Sequence, residues 1–578
     1  MSSLDSALKS TPNADSTQRE TWWDRVEAVL ERGSEWLNPI LVKEARQALK
    51  SRQFVVTFTL LLLLGWVWTI FGVFLSAPGI FYGAEGKGML FGYFLVLAVP
   101  LLVVVPFSAF RSLAAEREDG TYELISITAL NARQIVSGKL GSAVLQMMVY
   151  FSALAPCVAF TYLLRGVDIF SIFFVLYYTF LVSLLLSTFA LLVATASRSR
   201  QWQSLLSVLL LLVLLFVGGM WITFIYSSLY ENIWRADLWE FWAVQGFLLT
   251  NFVMFFMLFL WAAGAQISFP SDNRSTRMRY IMFLHQAFFI GWMVYFTIAI
   301  DNEPELAIVS IVVGCIYWGV LGALLIGEYP QLSPRVRREL PQSFLGRMTW
   351  TWFNPGSGTG YIFTSLNISF FAVACLVMLS IPDHLVQSYT LTIATSIAPT
   401  VATSSPVIDW VPAFTNQFAS NFRESSFVIL AAAYVVAYLG VSRLMVLLAR
   451  QVASVGLMFS LLITIFFAIA GAALPWIFQF WLFNYRNEGY TILQVTNWAW
   501  TLEETADGNI WNHWPSPVGV LLGALVIFLV NLILTAGEVA QVRIAAPQRV
   551  QDEQLTLHPV KPKRNSPWDD EKPASSNA

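Results

Sequence analysis

Twelve apolar runs, each about twenty residues or longer, dominate this sequence: 54–76, 89–110, 141–164, 170–196, 204–226, 243–266, 281–300, 305–327, 361–381, 426–449, 452–482 and 517–536. A helix needs about 20 such residues to cross the hydrocarbon core of a bilayer. In lipid every backbone N–H and C=O must be satisfied inside the spanning segment, which leaves helices and closed barrels. A barrel would show alternating segments of about ten residues instead. The fold class read from the sequence is therefore an all-α integral membrane protein of about twelve transmembrane helices, arranged as two six-helix halves.

Composition points the same way. Of 578 residues, 57% are hydrophobic and only 12% charged, against about 25% charged in soluble domains. The mean hydropathy is +0.62. So little charge cannot cover a water-soluble particle of this size. Disordered, collagenous, disulfide-rich and basic nucleic-acid-binding classes are excluded for the bulk of the chain, and no nucleic-acid partner is expected.

Charge placement orients the spans. With the N-terminus inside, 29 of the 34 Lys and Arg residues fall on the inner side, and only Lys87, Arg165, Arg235, Arg423 and Arg486 fall outside. Positive loops mark the cytoplasmic face, so both termini are predicted to be cytoplasmic and the protein multi-pass in the cytoplasmic (plasma or inner) membrane. No apolar h-region follows Met1, so no secretory signal is expected. Cys157, Cys315 and Cys375 sit inside apolar runs and read as small hydrophobes. His285, His384, His513 and His558 have no close partner that would make a ligand pair. No metal site is expected.

Four regions follow: a cytoplasmic N-tail over 1–37, a six-span domain over 38–280, a second six-span unit over 281–540, and a disordered, charged C-tail over 541–578. In the N-tail, Trp22, Trp23, Val26, Val29 and Leu30 recur at helical spacing, predicting a short amphipathic helix. Ile40, Leu41, Val42, Ala45 and Leu49 against Lys43, Glu44, Arg46, Lys50 and Arg52 predict an elbow lying in the inner interface. The outer loops 382–425 and 483–516 are the long ones. The second is rich in Trp and Tyr, a pattern that suits an interfacial belt better than a binding surface.

The inner loop between spans two and three carries the most specific signal. It reads Glu116-Arg117-Glu118-Asp119-Gly120-Thr121-Tyr122-Glu123-Leu124, with Ile125 and Ile127 next, then Asn131 to Gly138-Lys139. Gly120 can end one helix, and Thr121 can cap a short second one with Glu123 in its first turn. Asn131 and Gln134 resemble a capping box that opens span three.

This stretch resembles the corresponding loop of type-2 (exporter) permeases of ABC transporters. Glu116, Arg117, Glu118, Gly120, Thr121, Glu123, Leu124, Thr128, Leu130, Gly138 and Lys139 match, while Ala129 stands where the family usually has proline. Asn38-Pro39 with Lys43, Glu44 and Arg46 is similar to the start of these permeases, and the resemblance covers roughly 38–280. It implies a transmembrane permease subunit that couples ATP hydrolysis in a separate ATPase chain to export. The docking element would comprise Glu116, Arg117, Glu118, Gly120, Thr121, Glu123, Leu124 and Ile127. It also implies that this chain is not itself an enzyme: ATP and Mg²⁺ would sit on the partner, and no cofactor on this chain. Expected partners are that ABC ATPase subunit, the lipid bilayer, and a second permease or an outer-face accessory protein.

The run Gly356-Ser357-Gly358-Thr359-Gly360 lacks the Gly-Lys-Ser/Thr of a phosphate loop and reads as a loop or a helix N-terminus. Two other function classes fit the composition: a non-transporting scaffold or signalling component of an ABC-like complex, and a membrane-embedded lipid-linked glycosyl transferase. The latter needs ionisable residues gathered at a watery mouth. Asp168, Asp301, Glu303 and Glu305 at the outer face form no such constellation. Ion-coupled secondary transport is disfavoured because charge inside the spans looks almost absent.

Overall fold

A computed structural model of the chain describes residues 39–77, 79–118, 132–196, 200–231, 233–269, 272–299, 304–329, 332–341, 343, 346, 350–381, 420–452, 455–483, 489–539 and 548. Among these residues every regular element is helical, and twelve helices are long and apolar enough to cross a membrane, one for each apolar run of the sequence. The tail segments 1–38 and 549–578, the amphipathic stretch 22–32 and most of the outer loop 382–425 lie outside the described residues.

The chain divides into two compact units, Met1–Ser268 and Phe269–Ala578. The first holds α1 (Pro39–Leu49), α2 (Arg52–Ser76), α3 (Gly86–Val99), α4 (Val105–Glu118), α5 (Ala132–Leu163), α6 (Ile169–Thr195), α7 (Arg200–Tyr230) and α8 (Trp239–Ile267). A π-helical turn, Pro100–Val104, joins α3 and α4 into one span. Pro100 has no N–H to give the helical ladder, which accounts for the widened turn at this point. Ser183 of α6 donates to the Leu101 carbonyl at 2.6 Å, satisfying an acceptor in that turn. The second unit holds α9 (Thr276–Ala299), α10 (Pro304–Leu325), α11 (Pro334–Glu339), α12 (Ser357–Leu379), α13 (Phe422–Ala449), α14 (Leu457–Leu482), α15 (Trp498–Ala506) and α16 (Pro515–Val539).

Local chemistry sets several helix starts. Ser51 accepts from the Phe54 N–H at 3.1 Å and caps α2. Asp168 does the same for Ser171 at 3.0 Å and caps α6. Arg165 and Gly166 take φ of +63° and +83° in the turn before it. The Gly86 N–H donates to the Arg165 carbonyl at 3.0 Å, and a side chain at Gly86 would collide with that turn.

In the first unit the core is built by α3, the π turn and α4 packed on α5 and α6, around Leu97, Leu101, Val105, Met147, Tyr150, Val175 and Leu191. α8 packs on α5 and α6, and α7 on the α3–α4 span and α6. In the second unit α13 packs on α10, α12, α14 and α16, while α12 also packs on α9, α10 and α16. Trp318, Tyr361, Phe363 and Leu439 are fully or almost fully buried there. α2, α7 and α14 present bulky apolar side chains outward, among them Trp66, Ile70, Phe74, Phe216, Phe466 and Ile469. Such faces suit lipid, not water.

Several polar side chains inside the spans are paired across helices by short links. Thr57 and Tyr150 share a hydrogen bond of 2.7 Å, and Thr69 and Tyr93 one of 2.8 Å. Tyr178 donates to Gln245, and Trp318 donates to Gln286 at 2.6 Å. The segment 489–514 is folded. Gln494 donates to the Gln479 side chain at 2.6 Å, and Asn497 to the Gln494 side chain at 2.9 Å. Tyr490 is buried and pairs with Thr501 at 2.9 Å, whereas Trp511 and Trp514 are exposed.

Candidate functional site

The loop singled out by the sequence hangs on two long helical stems. The span that precedes it runs over Gly86–Glu116, 31 residues, and α5 runs over 32. At 1.5 Å per residue each is about 46–48 Å long, against a hydrocarbon core of about 30 Å. Each stem is therefore long enough to project a few turns beyond the lipid. The described part of α5 begins at Ala132.

A buried ion cluster ties these stems together. Lys139, at the start of the third turn of α5, is 2% exposed. Its Nζ lies 3.1 Å from Glu44 Oε1 on α1 and 3.1 Å from Glu116 Oε1 on α4. It also donates to the Ser112 carbonyl at 3.3 Å. Lys43 stands 3.9 Å from Glu116, so two cations meet two carboxylates and the cluster is neutral. A lysine so far out of water is stable only when its charge is met in this way. α1 lies close against α5: a Cβ on Gly141 would come within 2.7 Å of Leu41. Arg133, in the first turn of α5, stacks its guanidinium 3.4 Å from the Trp261 ring centroid of α8.

Three separate sequence patches thus converge: Lys43-Glu44 of the elbow, Glu116 and Lys139. Of the predicted docking residues, Glu116 is in the cluster. Arg117 and Glu118 form the last residues of α4, and their side chains lie outside the described set. Gly120, Thr121, Glu123, Leu124 and Ile127 lie outside the described residues altogether.

A second network occupies the second unit, and sequence reading missed it. Arg279 of α9 is fully buried. It donates to Glu328 at 2.6 Å, to the Trp352 carbonyl at 2.7 Å and to the Gly356 carbonyl at 3.1 Å. The Gly356 N–H donates to the same Glu328 carboxylate at 2.9 Å. Glu538 near the end of α16 accepts from the Gly358 N–H at 2.8 Å, from Ser357 at 3.1 Å, and from Arg443 of α13 at 3.0 Å. Arg443 also donates to the Asn531 side chain at 3.1 Å. Arg450 donates to the Gly327 and Glu328 carbonyls at 2.7 and 2.8 Å. Burial lowers the Arg450 pKa, opposed by Tyr329 and by the Glu538 and Glu328 carboxylates, but an arginine remains charged.

The glycine run therefore opens α12. Its amide donors are directed at the chain's own carboxylates, which suit the positive end of the helix dipole. Arg443 is a charge inside the apolar run 426–449, whereas Arg279 and Glu538 lie where span helices extend past their apolar runs. No family profile, curated protein or solved structure matches this chain.

Proposed function

We propose that this chain is the membrane-embedded permease subunit of an ATP-driven ABC-type exporter, with loop 119–131 as the docking element for a separate ATPase. One observation carries the reading: the Lys139–Glu44–Glu116 cluster fixes both stems of that loop to each other and to the elbow. A loop that transmits force from a soluble motor must not hinge at its base, and a buried ion cluster is a stiff joint. Movement of the loop then passes into the α3–α4 span, α5 and α1 together. This chain's contribution is conformational: differential binding of the partner's nucleotide states would bias the equilibrium among its helices.

The second unit is proposed as the other permease half, fused in one chain. In both units the third span packs on the second, the fourth on the second, third and sixth, and the fifth on the second and fourth. In both, a buried ion pair joins the exit of the second span to a neighbour, Glu116 to Lys139 and Glu328 to Arg279. Purification with the ATPase in mild detergent tests this fusion. One permease chain per two ATPase subunits supports it, and two permease chains per complex would end it.

A further inference from the structure

We infer that the outward face of the elbow helix α1 is a binding surface for the phosphate headgroup of an anionic phospholipid. The face is built by periodicity. Lys43, Arg46 and Lys50 are spaced three and four residues apart, so they share one side of a helix. All three are exposed, and with Val42 and Gln47 they line an open depression of about 540 Å³. The one carboxylate of the helix is turned away: Glu44 is buried against Lys139. What remains outside is cationic only. Among the described residues Arg46 and Lys50 have no ion-pair partner, and Lys43 touches only Glu116 at 3.9 Å.

The depth of the helix selects a lipid over a soluble anion. α2 starts at Arg52, two residues beyond Lys50 and adding a fourth cation, and Val55 and Val56 already present apolar side chains outward. Three or four residues of helix are about 5 Å, so Arg52 and the neighbouring Lys50 stand at the level of the headgroups that border the hydrocarbon, and the elbow carries the cationic row on from there. The sequence places this end on the cytoplasmic side, the leaflet whose anionic lipids attract juxtamembrane Lys and Arg. Lys43 and Lys50 are seven residues apart, about 10 Å along the axis. A headgroup with two phosphates can therefore engage the whole row, while a single phosphate engages two of the three. Lys43 links this surface to the Glu116 cluster, so a headgroup that draws Lys43 away acts on the base of the 119–131 loop. The surface itself does not depend on the proposed ATPase partner.

The test is native mass spectrometry of the full chain purified from mixed nanodiscs of phosphatidylcholine, phosphatidylglycerol and cardiolipin. The wild type is expected to retain cardiolipin over phosphatidylcholine. The Lys43→Gln/Arg46→Gln/Lys50→Gln variant should lose that retention at least tenfold. A control variant, Lys87→Gln/Arg165→Gln/Arg235→Gln, removes the same charge at the opposite ends of the helices and should keep it. Equal retention in both variants, or equal loss, overturns the proposal. So does displacement of the lipid by millimolar inorganic phosphate, which would mark a soluble-anion site. Should the triple variant not fold, Arg46→Glu and a thermal titration of the wild type with cardiolipin against phosphatidylcholine decide the same point. A shift specific to cardiolipin and weakened by Arg46→Glu supports the surface, and no such difference removes it.

Discussion

Lys139 holds Glu116 at 3.1 Å, joining the helix that enters the 119–131 loop to the helix that leaves it. Glu44 lies at the same 3.1 Å on the elbow. Because this lysine is almost wholly out of water, replacing it strands two carboxylates. Lys139→Met is expected to destabilise the protein by about 3 kcal/mol, the usual cost of breaking a buried pair from one side. Adding Glu44→Gln and Glu116→Gln to that background should recover most of the loss. Thermal unfolding in detergent reads both, and an unchanged midpoint in Lys139→Met would show that the cluster bears no load.

Gly358 is a position where the second network leaves no room. A Cβ there would stand 2.6 Å from Arg443 Nη2 and 2.6 Å from Thr535 Oγ1. Gly358→Ala should therefore cost about 1–3 kcal/mol, as overpacking does. Gly523 of α16 meets nothing within 4 Å, and Gly523→Ala should instead be neutral or gain up to about 1 kcal/mol of helix propensity. The two melting curves should move apart, and a common shift would argue against the Arg443–Glu538 contact.

Topology is checked by thiol labelling in a Cys157→Ala/Cys315→Ala/Cys375→Ala background. Lys50→Cys should resist an impermeant reagent in intact cells, and Asn512→Cys should react, since both positions are exposed and the 29-to-5 division of Lys and Arg puts them on opposite faces. Reaction at both sites in intact cells would break the twelve-span order.

The folded segment 489–514 has its own pH signature. Burial raises the Tyr490 pKa above its ordinary value, with the Thr501 hydrogen bond opposing. Below about pH 10 the phenol is protonated in both folded and unfolded chains. As pH rises past the unfolded value, the unfolded chain loses this proton first, and stability falls. Tyr490→Phe should show a shallower loss above about pH 10. Parallel curves for the two proteins would place the phenol in water.

Each of the twelve spans is legible in the sequence because twenty apolar residues in a row have one physical solution in lipid. The helix ends are less so. The apolar run of span three begins at residue 141, yet α5 starts at Ala132. The run of span twelve ends at 536, yet α16 reaches Val539 and carries Glu538. Helical hydrogen bonds do not stop where hydropathy falls, so Lys139, Arg279 and Glu538 look like loop charges in the sequence when they are helix residues with buried partners. Lys139 and Glu44 are 95 residues apart, as are Arg443 and Glu538, and no local spacing rule pairs residues across such a distance. The loop motif itself is visible because Gly120, Thr121 and Asn131 are residue types that punctuate helices. That its flanks Glu116 and Lys139 meet over a third residue from the elbow required the fold.

The most direct test of the permease reading is photo-cross-linking from Leu124 in the native membrane, with a photoreactive residue at that position and at Trp66 as a lipid-facing control. The expected result is a cross-link from position 124 to an ATPase bearing a nucleotide-binding phosphate loop, lost in Glu118→Lys and absent from position 66. Cross-links from 124 to lipid alone, or to the same products as from 66, would contradict it.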